Sequence, residues 1–443
     1  MSQTVEARAV VDLPSSGRNV WQLAATTPGV LRGNTTDIGL SFRGAGQREI
    51  QNSLTMDGIN ASSNLLAMTS MRPMADAVTE VQVQTGSTSA EYGSYLGVHI
   101  NVVTKAGTND FHGSLFEYFQ DDSLESRGYF DNPDLPEPPK RSNQFGFAFD
   151  GPLMIPGLYN GRNKTFFMGA YEGLRSERTT SPIASVPTER MRRGDFGQIS
   201  TQIVNPITKQ PYPGNQIPLS QLSDEAVRLL QYYPLPNLAG TANGTGNNYQ
   251  APALTENKID QLLLRVDQNI SNAARLYVRY NWVDAFDGFG NVVPTTGFFQ
   301  PRVNKNTLVS WQQTLSPTLL NDFRIGYHRI DVDTLNNLML EGVPSAGSDI
   351  GIPGFDGDVR YDNPGIPTIS LTGFSGLGHA GTNWYQFDTT FQMSNVLSWT
   401  KGTHNIRTGF DLRKMATGRR AANNPRGLFN FSGVMTGYAV ADF

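Results

Sequence analysis

From residue 111 onward the chain repeats one pattern: segments of ~9–11 residues in which apolar and polar side chains alternate, separated by turns. Alternation is the period of a strand with two unlike faces, and that length is what a tilted strand needs to cross a bilayer. NQFGFAFDG puts Phe145, Phe147 and Phe149 on one face and Gln144, Gly146, Ala148 and Asp150 on the other. Leu262, Leu264 and Val266 oppose Gln261, Leu263, Arg265 and Asp267. Leu276, Val278, Tyr280 and Trp282 oppose Tyr277, Arg279 and Asn281. The same split recurs for Phe323, Ile325 and Tyr327 against Arg324, Gly326 and His328, and for Ile406, Thr408, Phe410 and Leu412 against Arg407, Gly409, Asp411 and Arg413. In HGSLFEYFQDD, Phe116 and Tyr118 oppose Leu115 and Glu117.

A soluble sandwich also alternates, so the charged face carries the distinction. One face rich in Arg and Asp and another ending in Phe, Tyr and Trp fits an aqueous lumen and a lipid belt with interfacial aromatics. Lipid-facing positions such as Phe145, Phe147, Phe149, Leu276 and Val278 must then stay uncharged across a band about 25 Å tall. Phe147→Arg is expected to disturb assembly, and Ala148→Arg to be better tolerated. Short links (269–273, 316–318, 401–403) alternate with two long ones, 176–258 and 332–384, as turns on one side of an outer-membrane barrel alternate with loops on the other. Roughly nine strands are expected, near 111–120, 143–151, 164–174, 260–270, 273–283, 306–315, 320–331, 386–400 and 404–414. An odd number cannot close an antiparallel bacterial barrel, so the chain reads as a fragment at both ends.

Composition agrees. Hydrophobic residues make up 38% and charged residues 17%, while aromatics reach 10% with 45 glycines, a balance better suited to alternating strands than to amphipathic helices. Formal net charge is −4, which gives no nucleic-acid surface. There is no cysteine, so disulfide frameworks, thiolate metal sites and cysteine nucleophiles are excluded. No stretch of ~18 apolar residues offers a transmembrane helix. The first residues lack the basic and apolar regions of a signal peptide.

Residues 1–110 are mixed. A helix is expected over 18–27, stopped by Pro28-Gly29, with a strand at 38–43 and a hairpin turn at Asp57-Gly58. A short helix at 74–80 leads to strands at 81–85 and 98–104. Within the first long link, Ser223 is placed to cap a short helix carrying Ala226, Leu229 and Leu230. Asp356, Asp358 and Asp362 bring oxygen ligands together without EF-hand spacing, and a solvated loop is the preferred reading. The five histidines show no ligand spacing. No Walker loop, dinucleotide fingerprint or nucleophile elbow is present, so no enzyme, cofactor or metal site is expected.

The segments LPSSGRNVWQLAATTPGV (13–30), SFRGAGQREIQNSLTMDGIN (41–60) and ADAVTEVQVQTGSTSAEYGSYLGVHINVVTKAGTN (75–109) resemble the plug of TonB-dependent receptors. KTFFMGAYEGLR (164–175), VPTERMRRGDFGQ (186–198), PYPGNQIPLSQLSDEAVRLLQYYPLPN (211–237) and LSPTLLNDFRIGYHRI (315–330) resemble the Oar-like subgroup, in which a carboxypeptidase-regulatory-like sandwich usually precedes the plug. The resemblance implies a mainly β chain: a small α+β plug domain at 1–110, followed from 111 to 443 by an incomplete antiparallel transmembrane β-barrel. It implies residence in the outer membrane among its lipids, and transport of an unidentified ligand (oligosaccharide, peptide or other) powered by the TonB–ExbB–ExbD system through an upstream TonB box. Plug or gating candidates are Arg18, Arg43, Gly44, Asp57, Gly58, Tyr92 and Gly93, with Arg43 expected to pair with acidic residues of the barrel wall and Asp57-Gly58 expected to serve the turn. The alternative reading is a soluble or surface-anchored all-β binding or adhesion protein without a pore.

Overall fold

The computed structural model describes residues 2–13, 16–36, 39–66, 68–86, 91, 93, 95–126, 137–336, 349–353, 365–378, 384–421, 424 and 426–443. The acidic trio Asp356, Asp358 and Asp362, and Tyr92 with them, lie outside this set. Among the described residues no group of three or more His, Asp or Glu is gathered to hold a metal ion.

The N-terminal unit is built on seven strands: β1 (Ser2–Glu6), β2 (Val30–Thr36), β3 (Gly39–Gly44), β4 (Ser53–Met56), β5 (Ile59–Asn60), β6 (Val78–Gln84) and β7 (His99–Thr104). Five of them form a sheet in the order β1-β6-β7-β4-β5, while β2 and β3 pair separately. The helix expected over 18–27 is a 3-10 helix, Val20–Thr26, whose Asn19 side chain accepts from the Trp21 N–H. Its buried residues are Val20, Trp21, Leu23 and Ala24, a three-residue spacing that the tighter winding keeps on one face. Trp21 is sealed in by donating its indole N–H to the Met71 carbonyl at 2.7 Å. The helix expected at 74–80 shrinks to one 3-10 turn, Ala75–Ala77, because Val78 already belongs to β6.

The wall is one antiparallel sheet of nine strands. These are β8 (His112–Asp121) and β9 (Lys140–Pro152), then, beyond a small hairpin of β10 (Met154–Ile155) and β11 (Tyr159–Asn160), β12 (Thr165–Thr180). An outer ladder of β13 (Ile183–Ala184) with β14 (Tyr249–Gln250) precedes β15 (Ala253–Ser271), β16 (Ala274–Phe289), β17 (Phe298–Ser316) and β18 (Leu319–Asn336). After β19 (Thr368–Leu371) come β20 (Trp384–Lys401) and β21 (His404–Arg420), and finally β22 (Leu428–Phe431), which pairs parallel with β19. The sheet is open, with β8 and β21 at its edges. Every expected wall strand is present, but β15 and β17 each run 19 residues. Alternating hydrophobicity marks only the part of a strand that meets lipid, whereas the hydrogen-bonded ladder continues past it: β12 and β15 stay in register as far as Thr180 opposite Ala253.

Facing follows the predicted parity across most of the sheet. Phe147, Phe149, Leu264, Val266 and Val278 are exposed on the outside, while Gln144, Leu263, Arg265, Asp267, Arg279, Asn281 and His328 are buried within. Strand β8 is reversed: Leu115 points outward at 87% exposure, and Phe116 turns in beneath the Arg18 guanidinium, 4.2 Å from its ring centroid. Nor do the buried inner residues line an aqueous lumen; they pack on the N-terminal unit. Ala148 joins that unit's apolar core, so the small side chain is required there and Ala148→Arg loses the tolerance expected of it.

The two long links, read from the sequence as loops with little periodicity and one short helix, are packed where the structure describes them. Their described residues, with the 290–297 link and residues after β21, form one cap on the side away from the short turns. Its core holds Val186, Phe196, Ile203, Leu229, Tyr233, Val293, Ile350, Ile369, Leu377 and Val440. The Ser223-capped helix is there as read, Asp224–Leu230, with Ser223 Oγ accepting from the Ala226 N–H at 3.2 Å. Arg192 donates to the carbonyls of Leu230, the last residue of that helix, and of Tyr233 just beyond it, each at 3.0 Å.

Candidate functional site: the seam between plug and wall

The hairpin β4–β5 is the most deeply seated part of the N-terminal unit. Its turn residues Asp57 and Gly58 both have positive φ, 51° and 81°, as a primed hairpin turn demands. Asp57 does more than serve that turn. One carboxylate oxygen accepts from the Thr104 N–H and the other from the Thr104 hydroxyl, both at 2.8 Å, which ties the turn to the end of β7. The same carboxylate lies 2.7 Å from Nε of Arg279, a wall residue with no solvent exposure. Arg279 also donates to the Asn306 side chain at 2.7 Å, and Arg324 donates to the Asp57 carbonyl at 3.2 Å. A buried guanidinium needs both its charge and its N–H groups answered, and the plug turn supplies the charge.

Next to the turn, Ile59 enters a notch formed by Tyr277 and Leu308. Gly326 makes the notch: a Cβ there would lie 2.5 Å from Ile59 Cγ2. Arg265 extends the cluster, donating to the Thr104 carbonyl at 3.0 Å while pairing with Asp267 at 2.9 Å.

Higher along the wall the contacts are mostly neutral. Gln392 accepts from the Asn60 N–H at 3.1 Å, Asn306 donates to the Asn60 carbonyl at 2.8 Å, and Asn64 donates to Thr390 at 2.9 Å. Ser70 Oγ meets His328 Nε2 at 2.8 Å, and Ser63 donates to Asp388.

Arg18 anchors the far side. It pairs with Asp76 of its own unit at 2.6 Å and approaches Glu172 of β12 at 3.6 Å. Glu172 is held by the amides of Gln144 and Gln261, each at 2.9 Å. At the opposite edge, Arg413 of β21 donates to the Tyr95 hydroxyl at 3.1 Å, and Arg407 pairs with Glu91 at 2.9 Å. Burial, with Arg413 adding repulsion, pushes the plug's His99 imidazole down to about 4.

The seven sequence candidates are therefore scattered. Arg18, Asp57 and Gly58 sit in the seam. Arg43 pairs with Glu49 of its own unit at 2.9 Å and is more than half exposed, in place of the wall carboxylate expected for it. Gly44 ends β3 against Val98, and Gly93 is an exposed turn residue. Tyr92 lies outside the described residues. Arg265, Arg279, His328, Gln144 and Gln261 had been legible only as a polar face; Glu172 itself gave no signal, and neither did Asp388 and Gln392, whose plug partners lie more than three hundred residues away.

The model of the outer membrane beta barrel domain family matches residues 103–443, and the chain belongs to that family. Over 108 residues it is 31% identical to the TonB-dependent transporter Oar of Myxococcus xanthus, spanning 24% of this chain and 10% of that one. The outer-membrane transporter YddB of Escherichia coli superposes with a TM-score of 0.54 at 12% identity, over 95% of this chain and 54% of that one. The ferric enterobactin receptor PfeA of Pseudomonas aeruginosa gives a TM-score of 0.45 at 15% identity, over 94% and 49%. The chain thus spans about a tenth of the curated relative and about half of these solved structures. It is an outer-membrane β-barrel-domain protein, with the fold of a small α+β plug inside an incomplete barrel. The soluble all-β reading falls with that membership and with the uncovered apolar belt on the outer face.

Proposed function

We propose that this chain is the plug, residues 1–110, and the first part of the barrel, residues 111–443, of a transporter that carries an unidentified ligand across the outer membrane. Proton-motive force, delivered by TonB–ExbB–ExbD to a segment preceding the plug, displaces the plug and opens the path. Arg18, Asp57 and Gly58 hold the closed state. Arg43, Gly44 and Gly93, with Tyr92 from the sequence, are the candidates for the part of the plug that rearranges. The supporting observation is the material of the seam: Asp57 on Arg279, Arg18 near Glu172, and a run of amides and hydroxyls between. Such contacts are exchangeable for water, so a plug held by them can leave and return at modest cost.

The chain has no cysteine of its own, so a single Asn60→Cys, in a full-length receptor from which any other cysteine has been removed, reports on the seam. In cells, labelling by an impermeant maleimide is expected to rise when the membrane is energised and to fall with a protonophore or on loss of TonB. Labelling indifferent to both treatments ends the transport reading.

A further inference from the structure

At the foot of the wall, on the side of the short turns, the link between β9 and β12 projects as a hairpin of its own. Its base is closed by the Leu153 N–H donating to the Thr165 carbonyl and the Gly161 N–H donating to the Leu153 carbonyl, both at 2.9 Å. β10 and β11 are its arms, and Ile155-Pro156-Gly157-Leu158 turns at its tip. Gly157 takes φ 72° there, and the Leu158 N–H donates to the Ile155 carbonyl at 3.0 Å. This ordered turn holds Met154, Ile155, Leu158 and Tyr159 in the open, Leu158 at 80% exposure. No charged residue occurs between Asp150 and Arg162. An exposed run this apolar marks a contact surface.

The hairpin leans to the lipid side of the wall. Its Tyr159 hydroxyl meets the hydroxyl of Thr165. Thr165 stands opposite Gln268, two places along from Phe167 opposite Val266, and alternate residues of a strand share a face. Val266 is exposed on the outside, so Tyr159 reaches the outer face. There Phe149 lies between Phe111 and Phe167, with ring centroids 5.8 and 5.5 Å away, and the three form the foot of the apolar belt. The hairpin carries that belt further down. Immediately after it come Arg162 and Lys164, both exposed and in no ion pair among the described residues.

We propose that residues 153–161 are an interfacial anchor for anionic phospholipid. The tip lies among the acyl chains of the leaflet at the short-turn end of the wall, and Arg162 and Lys164 meet the headgroups. Continuity with the apolar belt argues for lipid over a protein partner, and the two unpaired cations argue for anionic lipid. The transport reading makes this leaflet the periplasmic one. The test reads lipid contact alone, so its failure leaves the maleimide experiment standing.

Leu158→Cys, the single cysteine of an otherwise cysteine-free full-length receptor, is labelled with a nitrobenzoxadiazole fluorophore and reconstituted into vesicles. The vesicles contain phosphatidylglycerol and phosphatidylcholine, one of the two carrying a nitroxide on its acyl chain. Quenching at position 158 is expected to match that at Phe147→Cys in the belt, while Ile207→Cys on the exposed cap surface stays unquenched. Nitroxide on phosphatidylglycerol is expected to quench position 158 about twofold more than nitroxide on phosphatidylcholine. Arg162→Gln together with Lys164→Gln, both exposed changes, removes that preference and leaves the fold alone. Three outcomes each overturn the proposal: position 158 unquenched like Ile207→Cys, equal quenching by the two lipids, or a preference that survives the double substitution.

Discussion

The seam and the cap core are both buried, yet they are made of opposite materials. In the seam, Arg279, Asp57, Asn306, Gln392, Asp388 and His328 are shielded from solvent or nearly so, and hold one another by charge and hydrogen bond. In the cap, Phe196, Ile203, Leu229, Val293, Ile369 and Leu377 meet as hydrocarbon. Separating the cap would expose apolar surface at roughly 25 cal/mol per Å². Separating the seam trades its many protein hydrogen bonds for water, a nearly even exchange once both sides are hydrated, and uncovers apolar contacts at Ile59 and at Ala148, Met168 and Leu263. One interface is suited to staying shut and the other to being opened.

Truncating one member of each kind sharpens this contrast. Phe196→Ala in the cap core is expected to cost about 3–5 kcal/mol, seen as loss of cap resistance to limited proteolysis while the plug stays protected. Arg279→Met is expected to cost about 3–5 kcal/mol by leaving Asp57 charged and buried, and the plug is then released in proteolysis or thermal unfolding while the cap stays intact. A plug that remains seated in Arg279→Met would break the comparison. Phe147→Arg belongs to neither interface; it should cost about 2–4 kcal/mol at the bilayer midplane, measured by equilibrium folding into vesicles.

The pH response separates the regions again. His99 titrates near 4 in the folded plug and about 6.5 unfolded, so its contribution is full above about 6.5. The unfolded chain binds the proton first as pH falls. Plug stability therefore drops between roughly pH 6.5 and 4, by about 3 kcal/mol in all, and His99→Gln flattens that slope in plug-protection measurements. Smallest is Arg43→Ala: an exposed pair with Glu49 is worth less than about 1 kcal/mol, so thermal unfolding should hardly move.

How much of this was legible depended on how far each signal travels. The wall strands, their facing and the Asp57-Gly58 turn came from local rules of period and turn chemistry, and the structure keeps them, lengthening the strands where hydrogen bonding outlasts the apolar pattern. Strand β8 was the exception in facing, because a cation from the plug outweighed lipid as the neighbour of Phe116. The packing of the cap was not legible: its apolar residues are spread without a period along the 176–258 link and join others from separate links, so no pattern along the chain records their meeting.

The sequence by itself determined that one side of each long strand is apolar and the other polar, and hence that the chain makes a sheet between lipid and something wet or charged. Only the tertiary structure decided that the plug packs directly on the polar face, that Asp57 answers Arg279 and that Ile59 fills the notch at Gly326. Alternation is written between neighbours in the chain, while charge pairing and shape are settled between residues more than two hundred positions apart, where no local pattern reaches.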